Sequence, residues 1–256
     1  MTNIEARVLN PEVIQEAEKM MVCAARLTQR GHKVKDMDSF MALYDAPFTE
    51  KTTETMTKLP HPTIQKFGMI NVAVAGASRR FLAQITRHQN EVKFMSASLQ
   101  YSNYSQDAAF VVPYELLDND EAKKIYLSTC LDSLETYGYM ANFQFVDHDT
   151  AGYLMPQSLA NMLIMSATPY QFKHMIAQRT CRRNTKETQY VMLRVWEQLY
   201  SINPILFSPK TTGPFCQQGP CKEGSFGCQN PIVPKTLTPT EIIARDFPLL
   251  AKKETN

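Results

Sequence analysis

Glycine is scarce in this sequence, and its placement excludes two nucleotide-binding devices. The nine glycines in 256 residues include no Gly-x-Gly, so neither a Rossmann fingerprint nor a P-loop is present. His-Glu-x-x-His and Gly-x-Ser-x-Gly are also missing, and no two of the five histidines lie within four residues of each other. That removes a helix-borne zinc-hydrolase motif and a nucleophile elbow. Any nucleotide must therefore be held by side chains and helix ends, not by a glycine loop. No apolar run approaches the roughly 20 residues that cross a bilayer, and the N-terminus has no signal-like stretch. There is no charge excess either: 27 Lys+Arg stand against 25 Asp+Glu, a net +2. This argues against a protein that coats nucleic acid along its whole surface. Six cysteines without a targeting segment read as reduced thiols or metal ligands, not as a disulfide framework. With 44% hydrophobic and 20% charged residues, the expectation is a globular cytoplasmic protein.

What the chain does contain has a readable order. Asn10-Pro11 places a cap residue before a proline at a first helical position. Val13, Ile14, Ala17, Met20, Met21, Ala24 and Leu27 then recur at helical spacing up to Gly31. Residues 32–60 are polar and read as irregular. The apolar run 67–76 reads as a strand, and Ser78 as the cap of a helix that buries Phe81, Leu82 and Ile85. Residues 92–112 read as extended. Pro113 opens a long helical stretch with Ile125, Leu131, Leu134, Tyr137 and Met140 on its buried side. Further helices are predicted over 155–166, 169–181 and 184–201, with Met155, Met162, Met165 and Met175 as core filling. Eight of the 15 prolines follow residue 200. Residues 1–200 thus read as one catalytic domain of α+β class, and 201–256 as an irregular Pro- and Cys-rich tail.

The densest polar constellation is Arg79, Arg80, Gln84, Arg87, His88 and Gln89, followed by Ser96, Ala97, Ser98, Leu99, Gln100, Tyr101 and Ser102. On a helix, Gln84, Arg87 and His88 share one face. A guanidinium beside an imidazole and an amide offers phosphate clamping and directional donors for a flat heteroaromatic ring. The serines that follow offer hydroxyls and backbone N–H groups to a second anionic ligand. The plainer alternative is a solvated helix face and a polar edge strand.

The stretch Gln84-Ile-Thr-Arg87-His88-Gln89, then Ser98-x-Gln100-Tyr101-Ser102, resembles the signature of flavin-dependent thymidylate synthases. The flanking order is similar across roughly residues 55–200: His61-Pro62-Thr63 upstream, then Leu154-Met155-Pro156, His174, Arg179 and Glu187 downstream. The resemblance implies a central, mostly antiparallel sheet packed with helices. It implies reductive methylation of dUMP to dTMP, with methylenetetrahydrofolate giving the one-carbon unit, FAD carrying the hydride and NADPH as reductant. It further implies a homotetramer with shared active sites, and no membrane or nucleic-acid partner. Arg87, His88 and Gln89 would hold FAD, helped by Thr63 and His174. Gln84, Arg87 and the stretch Ser96, Ala97, Ser98, Leu99 and Gln100 would meet the nucleotide. Arg179 would face the uracil ring and act as the catalytic cation, and no metal is expected in this site.

The departures from the family pattern are specific. Gln89 replaces the motif's third residue, usually Arg, and one extra residue precedes Ser98. Gln100 stands for the usual Arg before Tyr-Ser, Ser96 for an acidic residue, and Gly152 for an arginine. Since each charge-assisted bond to a phosphate is worth about 1.5–3 kcal/mol, other cations are needed; Arg182, Arg183, Arg80 and Lys93 are the candidates. An alternative is a related flavoenzyme that modifies C5 of a different pyrimidine. A further one is a non-catalytic nucleotide or nucleic-acid binding protein that uses the basic helices. Cys216-x4-Cys221-x6-Cys228 reads as three reduced thiols in a surface segment. A zinc site is the alternative, its fourth ligand coming from Cys181, Cys23, a histidine or another subunit. Cys181 reads as a packed helix thiol and Ser98 as a binding hydroxyl. His148 is placed in a loop.

Overall fold

The computed structural model describes residues 1, 3–143, 146–221, 223–231 and 236–251. A four-stranded antiparallel sheet forms its centre. Strands β1 (Glu5–Val8), β2 (Ile70–Ser78), β3 (Val92–Ser96) and β4 (Ala160–Ala167) lie in the order β1-β2-β4-β3. The α+β class and the antiparallel sheet are as expected. Val72 opposes Met165 and Val74 opposes Leu163, so one face of the sheet carries a continuous apolar layer. Residue 76 interrupts the β2–β4 register at a bulge. Gly76 has φ +73°, and a Cβ there would lie 2.3 Å from the Asn3 carbonyl oxygen, so no side chain fits.

Helices cover the apolar face. The long helix α1 (Glu12–Arg30) buries Ile14, Ala17, Met21 and Ala25, and two short helices, α2 (Met37–Tyr44) and α3 (Glu50–Thr57), lean on it. Asn10 does not cap α1. Its amide accepts from Asn71 N–H at 2.7 Å and donates to the Met69 carbonyl at 3.0 Å, extending the β1–β2 ladder by one side chain. After β2 come α4 (Arg79–Ile85), α5 (Asp120–Phe143), the single turn α6 (His148–Ala151), α7 (Pro169–Arg179) and α8 (Lys186–Ile202). Helix α8 crosses β1 and β2 with Val191, Val195, Trp196 and Leu199 buried. The Trp196 indole N–H donates to the Phe207 carbonyl at 2.9 Å, so this large side chain is buried with its polar atom satisfied.

Several expectations need correction. Residues 160–167 form strand β4, not part of a helix, and Met162 faces outward while Asn161, Leu163 and Met165 face inward. The stretch 32–60 carries α2 and α3, each started by a capping box, at Asp36/Ser39 and Thr49/Thr52. Helix α5 begins at Asp120 and buries only Tyr137 and Cys130, leaving Ile125 and Leu131 exposed. Its inner side joins a small separate cluster with Ala151, Met155 and Leu159. His148 opens the turn α6 and does not lie in a loop. The tail also contains regular structure: α9 (Phe215–Gln218), α10 (Pro239–Asp246) and α11 (Pro248–Ala251). Ile242, Ile243, Phe247 and Leu250 enter the same core as the sheet.

One core group is charged in water and buried here. Lys173, on the inner side of α7, sits over the Phe207 ring, and its ammonium donates to Gln65 Oε1 at 2.7 Å. Burial pushes its pKa down to about 7, because desolvation penalises the charged form. Between that value and the ordinary lysine range, the unfolded chain holds a proton that the folded chain lacks. Stability therefore rises with pH across this window, by up to about 1.4 kcal/mol per unit, and is insensitive to this group below it. Urea titrations from neutral to alkaline pH should show this slope in the native chain and lose it in Lys173→Met. Equal slopes in the two proteins would refute the account.

Candidate active site

The site begins with a capped helix. Ser78 ends β2, and its hydroxyl accepts from the Phe81 N–H at 3.1 Å, starting α4 one residue later. The same Ser78 donates its own N–H and O–H to the two oxygens of Glu187, each at 2.6 Å. Glu187 lies in the first turn of α8 and is buried. The start of α4 is thus fixed against the start of α8 by charge-assisted bonds away from water.

Helix α4 ends at Ile85, so Gln84 leaves from its last turn while Arg87 and His88 leave from the turn beyond it, not from a shared helix face as expected; His88 and the Gln84 backbone meet the end of α7. The Arg179 Nε–H donates to His88 Nε2 at 2.8 Å, and Arg179 Nη2 donates to the Gln84 carbonyl at 2.8 Å. The Gln84 side-chain oxygen accepts from Thr188 Oγ1 at 2.7 Å, so α4, α7 and α8 meet at one point. Because His88 Nε2 accepts, the imidazole is neutral with its proton on Nδ1. Burial, then the neighbouring Arg179 and His174 charges, push its pKa down to about 4. His174 stands edge-on to His88 at 5.9 Å between ring centroids, with Gln178 Nε2 at 3.0 Å from its own Nε2. On its other side lies the Phe215 ring of α9, 6.4 Å away. Arg179 is lowered from the usual arginine value by burial and by Arg87, yet a guanidinium stays charged. The cluster is therefore a fixed, partly desolvated cation braced by the neutral His88 imidazole, suited to a flat anionic ligand.

Two concavities carry residues singled out in the sequence, and Arg179 lines the first. One, of about 770 Å³, runs from Gln178 and Arg179 along residues 181–184 to the tail segments 214–216, 219–221, 223–224 and 227–231. The other, of about 620 Å³, is lined by Ser96, Ala97, Ser98, Leu99 and Gln100 together with Arg79, Asp149, Gly152 and Tyr153. Arg79 lines it, and its Nη1 is buried with no hydrogen-bond partner among the described residues. A buried guanidinium donor in that state is costly unless something accepts from it.

The family model described as thymidylate synthase complementing protein (Thy1) matches residues 11–205. The chain belongs to this family. Among curated relatives, the flavin-dependent thymidylate synthase of Geobacter sulfurreducens is 20% identical over 215 residues, covering 83% of this chain and 89% of the relative. That of Thermococcus onnurineus is 24% identical over 180 residues, 66% and 71% of the two chains. Two solved structures share the fold. Thymidylate synthase X of Helicobacter pylori, with FAD and dUMP, superposes with a TM-score of 0.61 at 15% identity, covering 81% of this chain and 99% of that one. The UMP/dUMP methylase PolB of Streptomyces cacaoi, bound with 5-Br dUMP, gives 0.66 at 15% identity, covering 80% and 93%.

Against this family frame the residues singled out in the sequence fall into two groups. Gln84, Arg87, His88, His174 and Arg179 come together at the α4–α7 junction. Ser96, Ala97, Ser98, Leu99 and Gln100 line the other concavity, so one chain does not join the two groups in a single pocket. Gln89 and Thr63 are exposed, Thr63 in the short turn Pro62–Gln65. The candidate cations behave differently from expectation. Arg182 is committed to Asp246 and the Asn230 carbonyl, both at 2.7 Å, Arg183 pairs with Glu223 at 2.6 Å, and Arg80 reaches Gln157. The cation that lines the 96–100 concavity is Arg79, which the sequence reading left without a role. Its signal was available: it directly follows the capping serine, so its side chain leaves from the first turn of the helix.

The Ser78–Glu187 link carries a direct test. Glu187→Gln keeps the shape but leaves one carboxamide oxygen and an amide donor facing two donors of Ser78. A loss of about 1.5–3 kcal/mol in urea denaturation is expected, the value of a charge-assisted bond, along with weaker ligand binding at Arg179. A change below about 0.5 kcal/mol, the scale of ordinary surface substitutions, would mean that the link is not a structural constraint.

Proposed function

We propose that the protein methylates C5 of a uracil nucleotide, dUMP in the first instance, giving dTMP in an FAD-dependent reaction. Methylenetetrahydrofolate is the one-carbon donor in this reading and NADPH the reductant, with a cytoplasmic site of action. The observation that carries the reading is Arg179, a cation held by His88 and the Gln84 carbonyl at the α4–α7 junction of a chain matching the family over residues 11–205.

The residues at the junction suit FAD. Arg87 and Arg179 supply positive charge, His88 and His174 supply imidazole edges, and Phe215 supplies an aromatic wall beside a 770 Å³ concavity. Arg87, His88, Gln89, His174 and Thr63 are the residues assigned to hold it. Bound there and reduced, FAD would supply the hydride that completes the methyl group. The chain's own part is electrostatic. Arg179 stabilises negative charge on the uracil ring at N3 and O4, which raises electron density at C5, the carbon that attacks the one-carbon unit. His88, kept neutral, orients Arg179 and does not compete with it for the anion.

The nucleotide phosphate belongs, in this reading, in the 96–100 concavity, where hydroxyls of Ser96 and Ser98 and backbone N–H groups flank Arg79. The buried, unpartnered Nη1 of Arg79 gains an acceptor when a phosphate enters. It stands in for the arginine that the family pattern places at 152, since Gly152 lines the same concavity. The two concavities would then meet across subunits. Exposed apolar side chains support such assembly: Met95, Met162 and Ile164 on the open face of the sheet, and Ile125, Leu131, Tyr139 and Phe143 along α5. A homotetramer with shared sites is the assembly we infer.

A second reading is favoured by a specific observation. Gln100 and Gly152 replace expected arginines, and the neighbour with TM-score 0.66 is described as a UMP/dUMP methylase. The ribonucleotide UMP is therefore the alternative substrate.

The purified protein is expected to be yellow, with a flavin band that bleaches on adding NADPH anaerobically, and to convert dUMP to dTMP with methylenetetrahydrofolate. A colourless protein that cannot be reconstituted with FAD would sink the flavoenzyme reading. Turnover of UMP faster than dUMP would transfer it to the alternative. Arg79→Gln should raise KM for the nucleotide about 10- to 100-fold, the equivalent of one charge-assisted phosphate bond, with kcat changed much less. An unchanged KM would remove Arg79 from the phosphate site.

A further inference from the structure

Four of the six cysteines line one concavity. Cys181 comes from the turn after α7, Cys216 from the short helix α9, and Cys221 and Cys228 from the tail loop that follows it. The remaining two, Cys23 and Cys130, are buried in helices α1 and α5. We propose that Cys181, Cys216, Cys221 and Cys228 form a structural zinc site that fastens the tail loop to the end of α7. This replaces the reading of the three tail cysteines as simple surface thiols, and it selects Cys181 from the candidate fourth ligands. It shares the 770 Å³ concavity named above for FAD but does not rest on the flavin reading, and the loop lies beyond residues 11–205, which the family model matches.

Three observations carry it. The first is donor chemistry. Four thiols from the turn after α7, the short helix α9 and one glycine-rich loop make the all-cysteine donor set that zinc takes tetrahedrally, at about 2.3 Å per sulfur. The second is how the loop is held. From Pro220 to Pro231 nearly every described residue is exposed, including Phe226. The loop's regular structure is the single turn Gly224–Phe226. A segment that buries almost nothing has no core to order it, and small loop-rich units are ordered by metals instead. The third is the preparation of the site. Arg183 pairs with Glu223 at 2.6 Å, and Arg182 donates to the Asn230 carbonyl at 2.7 Å, drawing the loop toward Cys181. The Cys181 backbone is fixed by Asn184, whose N–H and side-chain amide both donate to its carbonyl. Within the loop, Gly227 packs so close to Cys221 that a Cβ would lie 3.3 Å from its sulfur, which brings the segment before Cys228 onto Cys221.

As it stands, no group of three His, Cys, Asp or Glu side chains among the described residues is gathered tightly enough to hold an ion. Ion binding must therefore draw the loop inward, with release of the thiol protons.

The test is metal analysis of the full-length, tag-free protein, prepared under reducing conditions without chelator and then equilibrated with Zn²⁺ or Co²⁺ and desalted. About one zinc per chain is expected. With Co²⁺, a thiolate-to-metal charge-transfer band and intense tetrahedral d–d bands are expected. Cys181→Ser, Cys216→Ser, Cys221→Ser and Cys228→Ser should each lose the cobalt spectrum, whereas Cys23→Ser and Cys130→Ser should keep it. Less than about a tenth of an equivalent of zinc together with no cobalt–thiolate band in the wild-type chain would overturn the proposal, whatever the variants do. So would a disulfide between Cys221 and Cys228 in freshly purified protein. Flavin content and dUMP turnover, read on the same samples, keep failure of this site distinct from failure of the flavoenzyme reading.

Discussion

The bond pair between Ser78 and Glu187 sets where everything near the site can be. Ser78 is the last residue of β2, so its position is fixed by the sheet register with β4. Its hydroxyl simultaneously donates to Glu187 and accepts from the first turn of α4. A serine hydroxyl has one donor and can accept as well, so the same atom couples a strand end, a helix start and a second helix. Arg79 leaves that point into the 96–100 concavity. One helical length further, Gln84 and His88 reach Arg179. Both halves of the proposed site therefore hang from one buried carboxylate, which cannot be replaced by a neutral group without leaving a donor unmatched.

A related economy explains why His88 is neutral. A protonated imidazole would turn an Nε2–H donor toward the Arg179 Nε–H, itself a donor, and place two cations in contact. Burial already disfavours the charged form, and the arginine adds to it. The neutral ring accepts from Arg179 and holds its plane, while the guanidinium keeps donors for a ligand. The motif position thus acts here through the arginine behind it, and the exposed neighbours Arg87 and Gln89 are better placed to touch a ligand directly.

Much of this was legible in the sequence because the signals were local. The cap at Ser78 and the helices α7 and α8 follow from spacing and hydrogen-bonding chemistry within a few residues; Gln84, Arg87 and His88 do come together, but because α4 stops at Ile85 they do not share a helix face. What escaped was non-local. The run around Leu163 is rich in Ala, Leu and Met, good helix formers, and only pairing with β2 and β3 makes it a strand; its alternation of Asn161, Leu163 and Met165 inward with Met162 and Ile164 outward was the overlooked period. Ile125 and Leu131 follow helical spacing and yet are exposed, because α5 lies beside a small cluster and not on the sheet. Asn10 looked like a cap and is a ladder extension, since its partners are about 60 residues away. The fate of the cations was equally invisible, as Arg182 and Arg183 are paired by acids 64 and 40 residues downstream.

That pairing changes what the net charge of +2 means. The segment 173–186 holds five cations and no acid, which by itself looks like a surface for a polyanion. In the fold Lys173 is buried against Gln65, Arg182 and Arg183 are satisfied by the tail, and Lys186 lies over the rings of Tyr114 and Phe247. Of the five, Arg179 alone stands at the α4–α7 junction with guanidinium edges directed at a concavity. The 79–93 segment is pared down in the same way: Arg80 meets Gln157, Lys93 sits on the exposed side of β3, and Arg79 keeps a buried donor with no partner among the described residues. A protein that bound a long phosphate backbone would gain from leaving its cations exposed in a row, because affinity scales with the number of counterions released. This fold instead consumes most of them internally, and leaves Arg179 and Arg79 lining two separate concavities. That distribution fits the proposal of a small nucleotide held at ring and phosphate by concavities of two subunits, and it makes the tail part of the proposed site's electrostatics and not an appendage to it.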